Sequence, residues 1–427
     1  MLDPVIKSKQ YITAVEKGTR RVNFDRKDMP VLNAIAEDWS DVKPFKGLKI
    51  AVCLHITTET AVLIEAIANG GAQVLVIPSN PLSTQDDVVA YLNHRGEKLD
   101  NILCMGRRGE VTSNFSKYFQ QVADFAPDFL IDDGADVVSF LHRTEQIKQL
   151  KGACEETTTG VNRLRAMYVQ NKLAIPVFAV NDSKIKHLFD NKYGTGQSTI
   201  DGIIRASNRM IAGSNFVIVG YGPCGYGIAK TAKGYGAHTM VVEVDPVRAL
   251  QASLDGHSVC TMETACEVGD FFVTVTGNKG VITVVHIENM RDGAVICNSG
   301  HFDVEIEVKE LGECYSKIEL DAGVTKYQVG NREIFLLGDG RLVNLSCASG
   351  HPSCVLDLSF SGQALALQEL VEGASETEKL ASGIHSLSPE NEDLIARTKL
   401  NAMGIEIGEL TQEQIEYMNS WTEGTEE

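Results

Sequence analysis

Four short apolar runs in the first half of the chain each end on polar residues: LKIAVCLH (48–55), AQVLVIPSN (72–80), FLIDDGAD (129–136) and IPVFAVND (175–182). Their length and β-branched content predict strands. Between them lie stretches such as TETAVLIEAIANGG (58–71), with apolar residues at helical spacing and a closing glycine pair. Strands alternating with helices predict a parallel, doubly wound α/β sheet. In such sheets ligands bind outside the carboxyl ends of the strands. His55, Asn80, Asp132, Asp133, Asn181 and Asp182 are therefore expected to converge on one crevice.

The second half repeats the rhythm with NFVIVGYG (215–222), TMVVEVDP (239–246), FFVTVTGN (271–278) and AVICNSGHFD (294–303). The pattern predicts two doubly wound Rossmann-like domains. After EIFLLGDGRLVNLSCASGHPSCVLDLSF (333–360) come a helical QALALQELVE, a Ser/Glu-rich stretch near 373–390, and a short amphipathic helical tail ending WTEGTEE, whose last residues are expected to fray.

At 427 residues and 43% hydrophobic, the chain can bury two cores. Its 39 basic and 57 acidic residues give a net charge of -18, which argues against nucleic acid or an anionic membrane as a partner. The ten cysteines form no CxxC pair and no Cys/His quartet at zinc spacing, so they read as small apolar residues in a reducing cytosol, with no metal site. No apolar run approaches the roughly 20 residues of a membrane helix, and MLDPVIKSKQ lacks an apolar leader core. A cytoplasmic protein is expected.

Gly220-Tyr-Gly222-Pro-Cys-Gly225 follows the apolar NFVIV and opens the helical YGIAKTAKGYG. That is the order a dinucleotide cradle requires: a turn, close backbone approach to a pyrophosphate, and tight helix packing at a helix N-terminus. Glu243 ends the next strand 23 residues beyond Gly220. A carboxylate there accepts the adenosine ribose hydroxyls and repels a 2′-phosphate, so NAD is favoured over NADP. Pro223 removes one N–H that could face phosphate.

The densest chemistry lies in EETTTG (155–160) and NDSKIKHLFDNKYGTGQST (181–199). Lys186 precedes Asp190 by four residues, which places ammonium and carboxylate on one face if the segment is helical. Asp133 stands beside Asp132, and paired carboxylates raise one another's pKa. Together with HITTET (55–60), NPLSTQDD (80–87), DDGAD (132–136), NSGHFDVEI (298–306) and GRLVNL…GHP (340–352), these segments resemble the S-adenosylhomocysteine hydrolase family from about residue 20 to 420.

The resemblance implies hydrolysis performed by redox. NAD takes a hydride from C3′ of the ribose, the C4′ proton becomes acidic, homocysteine leaves C5′, water adds, and the hydride returns. It implies that Lys186, oriented by Asp190 and positioned by Asn181, accepts or relays the 3′-hydroxyl proton. Asp133 is then the C4′ base, Glu156 binds the ribose hydroxyls, and His301 stands at the C5′ side. His55 serves the leaving thiol and the water, a task suited to a group titrating near neutrality. Thr57 and Glu59 face the purine, with His351 closing the other side; Glu59, as an acceptor, suits the amino group of adenine. Thr157, Thr158, Thr159, Asn191, Thr276, Asn278 and Asn344 match contacts to the nicotinamide half of NAD.

The implied domains are residues 1–186, completed by 352–398, for substrate and catalysis; 187–351 for NAD; and a tail, 399–427, for contact between the protomers of a homotetramer or dimer. Hinges are expected near 183–195 and 350–356. Tyr226, Thr195 and Ser299 depart from the commoner family pattern, and the tail is of the family's shorter type. Two other readings stay open: the same chemistry on another nucleoside thioether such as S-inosylhomocysteine, and a catalytically silent NAD- and nucleoside-binding regulator.

Overall fold

The computed structural model describes residues 9–321, 323–374, 380–422 and 424. Residues 425–427, part of the end expected to fray, lie outside them. The chain first lays down β1 (Lys49–Leu54), β2 (Gln73–Pro78), β3 (Ile102–Cys104), β4 (Phe129–Asp132), β5 (Gly152–Glu155) and β6 (Pro176–Ala179). It then forms β7 (Asn215–Val219), β8 (His238–Val242), β9 (Ser258–Val259), β10 (Phe271–Thr274), β11 (Val295–Asn298), β12 (Lys317–Asp321), β13 (Val324–Val329) and β14 (Arg332–Leu337). Finally β15 (Gly383–His385) returns to the first sheet.

The first sheet has the order β15-β6-β5-β4-β1-β2-β3 and is parallel throughout. The second runs β12-β13-β14-β11-β10-β7-β8-β9; β12, β13 and β14 pair antiparallel and the rest parallel. Each sheet is covered on both faces, which is why its strands read as unbroken apolar runs. In β1, Ile50, Val52 and Leu54 pack into one core cluster, and Ala51 and Cys53 into the opposite one. In β7, Phe216 and Ile218 face one way, Val217 and Val219 the other. All ten cysteines are free.

Strand order reverses between β4 and β1 in the first sheet and between β10 and β7 in the second. Those switch points are where crevices open at strand ends. The chain leaves the first sheet through a helical turn, Lys184–His187, a π-turn, Asp190–Gly194, and the buried helix Thr195–Ser207. It comes back past Gly350, whose φ of 93° suits glycine, into the 20-residue helix Ser353–Glu372. That helix packs Leu358, Phe360, Leu365, Leu367 and Leu370 into the first core. Its Asp357 accepts from the Val31 and Leu32 amides at the start of helix Pro30–Val42 and pairs with Lys399 at 2.7 Å.

Candidate active site

Four neighbouring strands deliver four polar side chains in spatial order: Asn181 after β6, Glu156 after β5, Asp133 after β4 and His55 after β1. They line a cavity of about 870 Å³ that also reaches Gly220, Gly222 and Glu243 of the second unit. Every residue given a catalytic, substrate or cofactor role from the sequence lines this cavity except Gly225. Three of the six strand-end residues expected to converge do not. Asn80 accepts from the Leu82 amide, Asp132 from the Asp133 and Val138 amides, and Asp182 pairs with Arg165 at 2.5 Å. The first two are turn caps, the commonest use of Asx at such positions. Burial, ahead of any neighbouring charge, pushes Asp132 up to about 7.

One group of side chains surrounds Asp133. Its Oδ2 accepts from Ser79 Oγ at 2.9 Å and lies 3.2 Å from His55 Nε2. Its Oδ1 lies 3.5 Å from His301 Nδ1 and is buried without a hydrogen bond. Ser83 Oγ sits 2.7 Å from His55 Nδ1. Burial lowers His55 from 6.5 to about 4, against the nearby Asp133 charge. The expectation of a histidine titrating near neutrality fails for that reason. A pKa so lowered favours an uncharged imidazole with one N–H, with Asp133 Oδ2 facing Nε2 and Ser83 Oγ facing Nδ1.

A second group surrounds Lys186. Its Nζ donates to Asn191 Oδ1 at 2.9 Å and Asn181 Oδ1 at 3.4 Å, and stands 3.4 Å from Asp190 Oδ1 and 3.6 Å from Glu156 Oε1. Burial works against the ammonium, but Asp190 and Glu156 outweigh it and hold Lys186 above its usual range. Asp190 is held well below the carboxylate range: burial opposes its charge, and Lys186 and His351 overcome it. Glu156 goes the other way, pushed up by burial to about 8, while its Oε2 accepts from Gln363 Nε2 at 2.5 Å.

Thr57 caps helix Thr58–Asn69 by accepting from the Thr60 amide, and Glu59 stands in the first turn of that helix. Glu59 Oε1 accepts from Ser353 Oγ at 2.8 Å and its Oε2 from Thr58 Oγ1 at 3.2 Å, and burial raises its pKa. His351 Nδ1 lies 3.2 Å from Asp190 Oδ1, which joins His351 to the Lys186 group through one residue.

The glycine turn has the form a pyrophosphate needs. Gly220 has φ 102°, and Gly222 precedes helix Pro223–Gly234 with no side-chain cap on the free N-terminal amides. Pro223 occupies the first helical position, where its missing N–H costs nothing. A Cβ on Gly225 would overlap the Gly220 carbonyl oxygen, so this glycine permits helix packing rather than touching a ligand. Glu243 accepts from the Tyr221, Val244 and Asp245 amides. Thr157, Thr158, Thr159, Asn191, Thr276 and Asn278 line the far end. Asn344 donates to Ser198 Oγ at 3.1 Å, and its Oδ1 is buried without a partner, an acceptor waiting for a donor such as a carboxamide.

Comparison with known proteins matches residues 8–149 to the family model "S-adenosyl-L-homocysteine hydrolase" and residues 191–350 to "S-adenosyl-L-homocysteine hydrolase, NAD binding domain". An adenosylhomocysteinase of Aquifex aeolicus is 50% identical over 97% of this chain and 98% of its own. The chain belongs to the S-adenosyl-L-homocysteine hydrolase family. An S-inosyl-L-homocysteine hydrolase of Methanocaldococcus jannaschii is 48% identical over 96% of this chain and 98% of its own. Among solved structures, a transhydrogenase of Sinorhizobium meliloti aligns with 76% of this chain and 95% of its own at 14% identity and a TM-score of 0.40, too distant to carry any argument.

As a member of this hydrolase family the chain is an enzyme, its second unit binds NAD, and the glycine turn, Glu243 and the unpaired Asn344 oxygen fit that cofactor. Among the described residues no helix is long and apolar enough to cross a membrane. Sequence reasoning passed over several residues that support the site: Ser79 and Ser83 against the Asp133–His55 pair, Ser353 on Glu59, and Gln363 on Glu156. Ser353 and Gln363 reach the site across 294 and 207 residues of chain, and local spacing carries no trace of such contacts.

Proposed function

We propose that the chain reversibly hydrolyses S-adenosyl-L-homocysteine to adenosine and L-homocysteine by oxidising the ribose only in passing. The observation that supports this is one continuous cavity holding a dinucleotide cradle, the Lys186 group and the Asp133 group together. NAD, which the glycine turn, Glu243 and Asn344 would hold, would supply reversible hydride chemistry at C3′. Glu156 and Asn181 hold the ribose edge, and Lys186, kept as an ammonium by Asp190, steadies the 3′-oxygen and relays its proton. Asp133 takes the C4′ proton while C3′ is a ketone. His55, neutral at rest and 3.2 Å from Asp133, receives in passing the proton that Asp133 takes from C4′ and gives it to the leaving sulfur; the neutral imidazole then takes one from the incoming water. His301 stands beside the same carboxylate.

Glu59, anchored by Ser353, favours the 6-amino group of adenine over a 6-keto oxygen. Side-by-side kinetics test this: kcat/KM for the adenosyl thioether is expected to exceed that for the inosyl thioether by at least about tenfold, and Glu59→Gln, which can donate, to narrow the gap. A wild-type preference for the inosyl compound overturns the choice of base.

In this reading residues 1–186 with 352–398 hold the nucleoside and 187–351 hold NAD. Residues 399–427 serve contact between copies in a cytoplasmic homotetramer or dimer. Supporting the last point, helix Gln412–Asn419 is exposed throughout, and Trp421 is 92% exposed.

A further inference from the structure

We propose that Glu155 is a positioning residue: its buried carboxylate fixes where Asp133 stands relative to the Thr157–Thr159 segment. Glu155 ends β5 with no solvent exposure. Its Oε1 accepts from the Gly134 amide at 2.8 Å and from both the amide and the hydroxyl of Thr157 at 2.9 Å. Its Oε2 accepts from the Ala135 amide at 2.9 Å. One side chain thereby joins the turn that follows Asp133 to the segment that starts the cofactor-facing threonines.

The turn needs such an anchor. Gly134 and Ala135 have φ 94° and 56°, and a left-handed alanine costs about 1 kcal/mol. Arg163 donates to the Gly134 carbonyl from the other side. Burial, with Asp132 and Asp133 nearby, raises Glu155 well above the usual carboxylate range even against the donors aimed at it, so its position is held by geometry at a cost in charge. Gly160 leaves it room: a Cβ there would overlap the Glu155 carboxylate.

The second sheet repeats the device. Glu305 accepts from the amide and hydroxyl of Thr276 and from the Gly277 amide, and a Cβ on Gly300 would overlap its carboxylate. In both units a glycine five residues away makes space for a buried glutamate that ties a threonine-bearing turn to the mouth of the cavity.

The proposal rests on Asp133 being the C4′ base, and the test separates the two. Holoenzyme is mixed with adenosine in D2O, and two rates are read: appearance of reduced nicotinamide absorbance, and deuterium exchange at C4′. In Glu155→Gln an amide N–H₂ faces backbone donors and the turn shifts. Exchange is expected to fall about 30-fold or more while the oxidation rate stays within about threefold, since ångström displacements of a reacting group cost up to about a hundredfold. Glu155→Asp, which keeps the carboxyl group on a shorter stem, is expected to lie between Gln and wild type. Should the Gln variant not fold, the Asp variant decides: loss of exchange alone supports the proposal. Equal loss of both rates, or unchanged exchange, overturns it. Exchange lost in Asp133→Asn but kept in the Glu155 variants overturns this proposal alone, and exchange surviving in Asp133→Asn overturns the role of Asp133 as well.

Discussion

Lys186 touches four partners, Asn181, Asn191, Asp190 and Glu156, all within 3.6 Å. Its charge is therefore imposed by the fold. Lys186→Met is expected to lower kcat about 10³-fold with little change in bound NAD, measured as thiol release and as nicotinamide in the denatured supernatant. The i,i+4 spacing made the Lys186–Asp190 pair legible in the sequence, although a π-turn and not a regular helix holds Asp190. The state of His55 was not legible, because its burial comes from elements distant in the chain. Its sign is definite: between pH 6.5 and about 4 the unfolded chain binds a proton at His55 that the folded chain does not. Falling pH thus favours unfolding through this residue by up to about 3 kcal/mol, complete below the folded pKa and absent above 6.5. Thermal melts across that window are expected to show a shallower acid loss for His55→Asn than for wild type; parallel curves contradict the assignment.

At the scale of elements, the apolar strands β1, β2, β4, β6, β7, β8, β10 and β11 were legible because they lie in unbroken apolar runs and each ends on polar residues. β5 was not, since GACE holds no β-branched or aromatic residue, yet its end carries Glu155 and Glu156. The antiparallel β12–β14 were missed as well; β12 is exposed along its length and has no apolar signature. The glycine turn was readable as a unit, and the structure divides its labour: Gly220 and Gly222 line the cavity, Gly225 only packs. Gly225→Ala is expected to push helix Pro223–Gly234 off the strand, cost about 1–3 kcal/mol and strip bound NAD. A melt and a nicotinamide assay on the purified variant check both, and full NAD occupancy in a stable variant contradicts the packing role.

At the scale of the whole molecule, the two repeated halves were legible in the strand pattern, whereas the return of residues 352–398 to the first unit came from the family resemblance and from no pattern in the residues themselves. β15 and helix Ser353–Glu372 return to the first unit after the second is complete, through contacts such as Asp357 with Lys399 and with helix Pro30–Val42 that only the folded chain reveals. The units meet around the cavity: His301 lies near Asp133, Arg163 lies over the Phe302 ring at 5.6 Å, and Arg108 donates to the Ser346 carbonyl at 2.7 Å. A cofactor and a substrate site sharing one cavity make a cofactor that stays bound and is regenerated within each turnover the central claim. Thiol release from S-adenosyl-L-homocysteine, followed in one cuvette with the absorbance of reduced nicotinamide, tests it most directly. The account predicts free thiol rising over many turnovers with no accumulation of NADH. NADH growing in step with thiol, or no thiol at all, would contradict it.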